Sequence, residues 1–112
     1  MLIAFDLDGT ISRAPVLFDL LRMNFQRGGD RVIVLTAAAG ELPPEKRPAE
    51  VYRRLNGMGF SALPEWIVCC ESHEKGRRCR ELGVHILIDD SDDVIQRVRQ
   101  ESPGTLVFKV CP

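Results

Sequence analysis

Short apolar runs alternate along the chain with stretches whose apolar residues recur at helical spacing, and this alternation predicts strands and helices in turn. Leu2 to Leu7 is short, apolar and followed by acids and Gly9, which predicts a buried first strand. Pro15 suits a first helical turn, and Leu17, Leu20, Leu21 and Asn24 follow at helical spacing until Gly28 and Gly29. Val32 to Leu35 is β-branched and continuous, predicting a second strand with Thr36 at its end. Gly40, Pro43, Pro44 and Pro48 predict a loop over Ala37 to Pro48, after which Val51, Tyr52, Leu55 and Met58 mark a second helix closed by Gly57 and Gly59. Trp66 to Cys70 reads as a third strand. Ser72 is placed to cap a third helix, with Cys79 and Leu82 on its inner face and Gly83 at its end. Val84 to Ile88 is a fourth strand that runs into Asp89, Asp90, Ser91, Asp92 and Asp93. A fourth helix carries Val94, Ile95 and Val98, and Thr105 to Val110 completes the pattern as a fifth strand.

Five apolar strands with a helix between each consecutive pair imply right-handed crossovers. The expected fold is α/β, a three-layer Rossmann-like arrangement around a mainly parallel five-stranded sheet. At 112 residues it is expected to be one domain, 1–112. The composition, 45% hydrophobic and 28% charged, excludes a disordered or fibrous chain. Fifteen basic against sixteen acidic residues give a net charge of −1, so overall charge does not support nucleic acid as a partner and leaves only a local patch for one. The cluster Arg77, Arg78 and Arg80 lacks interleaved aromatics and reads as a solvated helix face. No apolar run is long enough to span a membrane, and Asp6 interrupts the opening Met-Leu-Ile-Ala-Phe before a signal-peptide core could form, so a cytoplasmic protein with no membrane partner is expected. The four cysteines contain no Cys-x-x-Cys pair and read as buried thiols. Zinc ligation by Cys70, His73, Cys79 and His85 can be drawn, but the tight ligand pairs of zinc sites are missing.

Chemistry concentrates where the strands end. Ligands of such sheets bind at the carboxyl ends of strands, and Asp6 with Asp8, Thr36, and Asp89 with Asp90 all fall there. Period-two geometry is expected to turn Asp6 and Asp8 to one side. Carboxylates gathered in a buried site repel one another unless a cation neutralises them, and an all-oxygen donor set suits Mg²⁺ rather than zinc. Gly9 permits a sharp turn whose amides, at Gly9 and Thr10, could face an anion. Thr36 would add its hydroxyl and the amide of Ala37, and Lys75 a positive charge. Against this stand plainer readings: aspartates as turn formers, Thr36 as a strand-end hydroxyl, Lys75 as a solvated lysine, and Asp90 or Ser91 as a helix cap with Asp92 and Asp93 at the positive helix end.

The motif Phe5-Asp6-Leu7-Asp8-Gly9-Thr10 resembles the first motif of the haloacid dehalogenase-like phosphohydrolase superfamily. Val32-Ile33-Val34-Leu35-Thr36 is similar to its second, Lys75 to its third-motif lysine, and Leu87-Ile88-Asp89-Asp90 to its fourth, all in the family's order. The resemblance implies a Mg²⁺-dependent phosphatase acting on a phosphomonoester. Asp6 would attack phosphorus, Asp8 would act as general acid and then base, and Gly9, Thr10, Thr36, Ala37 and Lys75 would hold the phosphate. Mg²⁺ would be held by the Asp6 carboxylate, the Asp8 main-chain carbonyl and Asp89 or Asp90.

The intervals in which larger members insert a cap domain hold only one helix each, which makes this an uncapped member. The flap after the first motif is compressed into Ile11 to Ala14, so a bulky substrate, small molecule or macromolecule, or a second subunit of a homo-oligomer is expected to cover the site. Relatives acting on polynucleotide ends carry an arginine after the second motif, where this chain has Ala37, Ala38 and Ala39. Two rival readings stay open: a non-catalytic phosphate-binding or regulatory module on the same fold, and a receiver-type domain, whose phosphoacceptor would lie at Cys69-Cys70.

Overall fold

The computed structural model describes residues 1–111. Its strands β1 (Leu2–Phe5), β2 (Arg31–Thr36), β3 (Ile67–Cys69), β4 (Ile86–Asp89) and β5 (Leu106–Lys109) form one sheet in the order β3-β2-β1-β4-β5. Every neighbouring pair is parallel. The crossovers are α1 (Pro15–Arg27), α2 (Arg47–Gly57), α3 (Lys75–Leu82) and α4 (Asp92–Glu101). The arrangement is the expected three-layer Rossmann-like α/β fold.

Parallel strands bury both faces, so alternate residues feed two cores. Ile3, Phe5, Val32 and Val34 pack with Phe18 of α1 and with Val51 and Leu55 of α2. Leu2, Ala4, Ile33, Leu35 and Leu87 pack with Cys79 of α3 and with Val94 and Val98 of α4. The ring of Phe5 meets that of Phe18 edge-on, with centroids 5.2 Å apart, and lies 6.4 Å from Phe60. Fully burying such a side chain contributes roughly 1.5–3 kcal/mol, and this cluster ties α1 and the end of α2 to the central strand. Beneath β4, Thr105 donates from Oγ1 to the Val84 carbonyl at 2.7 Å.

Three local expectations are corrected. The buried stripe of α1 is Phe18, Leu21 and Phe25 rather than Leu17, Leu20, Leu21 and Asn24; Leu17 and Leu20 are exposed. The aromatic rings win that contest because they bury more apolar area and meet Phe5. α2 begins inside the stretch expected to be a loop: Pro44–Lys46 forms a 3-10 turn, and Pro48 falls in the first turn of the helix, where its missing N–H has no partner to lose. Arg47 ties that segment down by donating to the Leu42 and Gly40 carbonyls and to Glu71. Ser72 does not cap α3. A 3-10 turn, Ser72–Glu74, precedes the helix, and the Glu71 amide donates to Glu74 Oε1 at 2.9 Å.

Candidate functional site

Strand order reverses between β1 and β4: from β1 the chain steps outward to β2 and β3, then returns to β4 and β5 on the other side. The carboxyl ends of these two strands therefore flank the crevice where open α/β sheets bind ligands. Asp6 follows β1, Asp89 ends β4 and Asp90 follows it, and one carboxylate oxygen from each lies within 4.8 Å of the other two. Lys75, the first residue of α3, reaches between them and donates from Nζ to Asp6 Oδ1 and to Asp89 Oδ2, each at 2.8 Å. Asp6, Lys75 and Asp89 are all buried, with exposures of 6%, 2% and 0%.

The local chain explains this convergence. The Asp6 amide still donates to the Ile88 carbonyl at 3.0 Å, extending the β1–β4 ladder by one bond and holding Asp6 opposite the end of β4. Asp89 Oδ1 accepts from the Ser91 amide at 3.0 Å, leaving Oδ2 for Lys75, and Ser91 Oγ caps α4 by accepting from the Val94 amide. Lys75 arrives because α3 packs tightly on α4: a Cβ at Gly76 would stand 2.9 Å from the Arg97 carbonyl oxygen. Gly9, with φ of +79°, lies against the Asp90 carboxylate so closely that a Cβ there would overlap it.

Three carboxyl groups, two of them buried and Asp90 half-buried, face a single ammonium. Burial pushes the Asp6 carboxyl up to about 7, and neighbouring Asp89 adds to the effect against the opposing pull of Lys75. Burial also opposes the charge on Lys75, but Asp6 and Asp89 outweigh it and hold the ammonium above its ordinary range. An oxygen-only donor set has the composition of a site for a hard divalent cation, and Asp6, Asp89 and Asp90 are the side chains that could hold one.

The other expected residues divide. Asp8, Thr36 and Ala37 line a cavity of 320 Å³ together with the acidic cluster and Lys75. Asp8 is exposed and arrives there through a turn, since β1 ends at Phe5 and Leu7 to Thr10 no longer follow strand geometry. Thr36 Oγ1 accepts from the Ala38 amide at 3.0 Å, which leaves its own proton to donate, and Ala39 closes that turn in the left-handed region, with φ of +63°. Gly9 and Thr10 form no amide cradle. Their amides donate to Ser12 Oγ and to the Leu7 carbonyl, and the Thr10 hydroxyl is fully buried without a partner.

The drawn zinc ligands do not assemble: among the described residues, only Asp6, Asp89 and Asp90 form a metal-competent group. Burial pushes the thiols of Cys70 and Cys79 up to about 11 and about 12, away from the thiolate a metal needs, and His85 Nδ1 accepts from the Leu2 amide. Arg77 and Arg78 pair with Glu74 and Glu81 as a solvated helix face does. Ser72 and Ser91 also line the cavity, and Gly76 sets the approach of Lys75. Of these, only Gly76 carried an unread signal, a glycine inside a helical pattern beside a lysine.

No protein-family model matches the chain, and no curated protein matches it. Among solved structures, a hypothetical protein of Pyrococcus horikoshii OT3 matches at 18% identity and a TM-score of 0.47. The match covers 96% of this chain and 41% of that one, so the chain spans less than half that protein's length. No helix among the described residues is long and apolar enough to cross a membrane.

Proposed function

We propose that the chain is a Mg²⁺-dependent phosphatase of the haloacid dehalogenase-like type that hydrolyses a phosphomonoester through an aspartyl-phosphate. The observation that carries this reading is the buried cluster of Asp6, Asp89 and Asp90 around Lys75 at the strand-order switch. Mg²⁺, held by these carboxylates and the Asp8 main-chain carbonyl, would offset the charge of the transferring phosphoryl group.

Lys75 orients the nucleophile by holding Asp6 Oδ1. An Asp6 oxygen attacks phosphorus while the bond to the leaving oxygen breaks, and Asp8 gives that oxygen its proton. Asp8 then takes a proton from water as that water attacks the phosphoryl-aspartate, which frees inorganic phosphate and restores Asp6. The free proton of Thr36, the Ala37 amide and the Lys75 ammonium surround the transferring oxygens as donors. Asp8 stands in an open part of the cavity, so the substrate itself must exclude water there.

The test is Mg²⁺-dependent hydrolysis of an aryl phosphate by the parent and by Asp6→Asn. The variant is expected to lose roughly 10³-fold or more in rate while keeping its fold, and a chelator is expected to silence the parent. Unchanged turnover in either case refutes the reading. The open cavity, in which Asp8 stays exposed, favours one rival, a phosphate-binding module without turnover. Binding of a phosphate analogue with no hydrolysis across a broad substrate panel would decide for it.

A further inference from the structure

α1 carries two apolar stripes. One, Phe18, Leu21 and Phe25, packs on its own sheet, while Val16, Leu17 and Leu20 are 67%, 54% and 52% exposed. The sheet has the matching deficit. On its α1 face, α1 packs on β2 and α2 on β3, and among the described residues no helix lies over β4 and β5 there. Leu106 and Phe108 of β5 are 64% and 55% exposed. They stand opposite Ile86 and Ile88 of β4, which edge the α1-side core, so all four share that face. Val107, on the other face, packs with the α3 and α4 side.

Helix geometry sets the surplus beside the deficit. Asp19 accepts from the Ser61 amide at 3.0 Å, and the Arg22 guanidinium lies 5.4 Å from the centre of the Trp66 ring, so that flank of α1 faces the α2 and β3 half. At about 100° per residue, Leu17 falls on the opposite flank, toward β4 and β5, and Val16 and Leu20 point away from their own sheet.

We propose that two copies of this chain pair about a two-fold axis, with α1 of each lying over the uncovered β4–β5 half of the other's sheet. An isologous contact needs both halves of the match on one surface. Here Val16, Leu17 and Leu20 are one half and Ile86, Ile88, Leu106 and Phe108 the other. The two α1 helices then lie side by side, roughly 8–10 Å apart, as a shared layer between two sheets.

Area and charge select a second copy as the occupant. The five most exposed side chains of the patch offer on the order of 500 Å², close to the apolar share of the ~800 Å² that each partner buries in a standard interface. The sole charge from Val16 to Leu21 is Asp19, which is turned away, so the patch gives a charged partner nothing to recognise. A net charge of −1 leaves two copies almost without mutual repulsion.

Sedimentation equilibrium of the whole chain tests the proposal. The parent is expected at twice its 12.6 kDa, and Leu20→Glu and Phe108→Glu are each expected to halve that mass with an unchanged circular dichroism spectrum. Because both positions are already solvated, a charge there leaves the monomer fold intact. Should either variant lose its spectrum, Val16→Lys and Leu106→Lys carry the same expectation. A parent that stays monomeric at every concentration overturns the proposal, as does a dimer that survives Leu20→Glu, which would mean pairing through the β5 edge alone.

Discussion

Asp6 does two things that pull against each other. Its folded carboxyl sits at about 7 against an ordinary 3.8, raised by burial and by Asp89. Between those values the folded protein holds more protons than the unfolded chain, so stability falls as pH rises through that window and levels off above it. Thermal melts in chelator are expected to show this decline, and Asp6→Asn is expected to remove it, leaving a protein more stable than the parent at pH 8. On the proposed reading, metal binding displaces the Asp6 proton, so Mg²⁺ affinity is expected to weaken as pH falls below about 7, with proton release measurable by calorimetry in buffers of different ionisation heat. Lys75 has the opposite role. Lys75→Met removes the one cation between Asp6 and Asp89 and is expected to cost roughly 3–5 kcal/mol, as other broken buried pairs do, read from the denaturant midpoint, with part of the loss recovered on adding Mg²⁺.

At the scale of elements, the approach of α3 to α4 decides whether Lys75 arrives at all. Glycine inside an exposed helix is normally a weakness that alanine repairs by up to about 1 kcal/mol. At Gly76 the sign is expected to reverse, because a methyl would meet the Arg97 carbonyl oxygen at 2.9 Å and the Glu101 side chain at 2.7 Å. Gly76→Ala is expected to destabilise by roughly 1–3 kcal/mol and, by displacing Lys75, to lower the proposed phosphatase activity; a raised melting temperature would show that the two helices have more room than the structure gives them. Ser91→Ala tests the other end of the same pair. Losing the α4 cap is expected to cost about 1 kcal/mol, while the amide at position 91 that holds Asp89 Oδ1 survives the substitution.

For the whole molecule, the proposed ion site would couple folding to ion binding: Mg²⁺ at 100 times its Kd is expected to add about 2.7 kcal/mol to stability, a shift in melting temperature that Asp6→Asn should abolish. Much of this architecture was legible from the chain alone. Strand runs such as Val32 to Leu35, the order of the elements and the placing of Asp6, Thr36 and Asp89 at strand ends depend on periodicity and on where apolar runs stop, which are local properties. So were the inner faces of α3 and α4, where Cys79, Val94 and Val98 have no apolar rivals on the opposite side. Other features depended on which of two local options bought more burial elsewhere. α1 offers two apolar stripes, and only contact with Phe5 turns Phe18 and Phe25 inward. Ser72 could have capped α3 but lies in the 3-10 turn that precedes it, and Gly9 and Thr10 could have presented their amides outward had Ser12 and Leu7 not taken them. The sequence by itself determined the alternation of elements and the chemical types at the strand ends. The amides of Gly9 and Thr10 are taken within three residues by a turn whose geometry periodicity does not reveal, whereas only the tertiary structure decided which stripe of α1 faces solvent and that Lys75 sits between Asp6 and Asp89, because each of these is a competition between partners distant along the chain that no local pattern records.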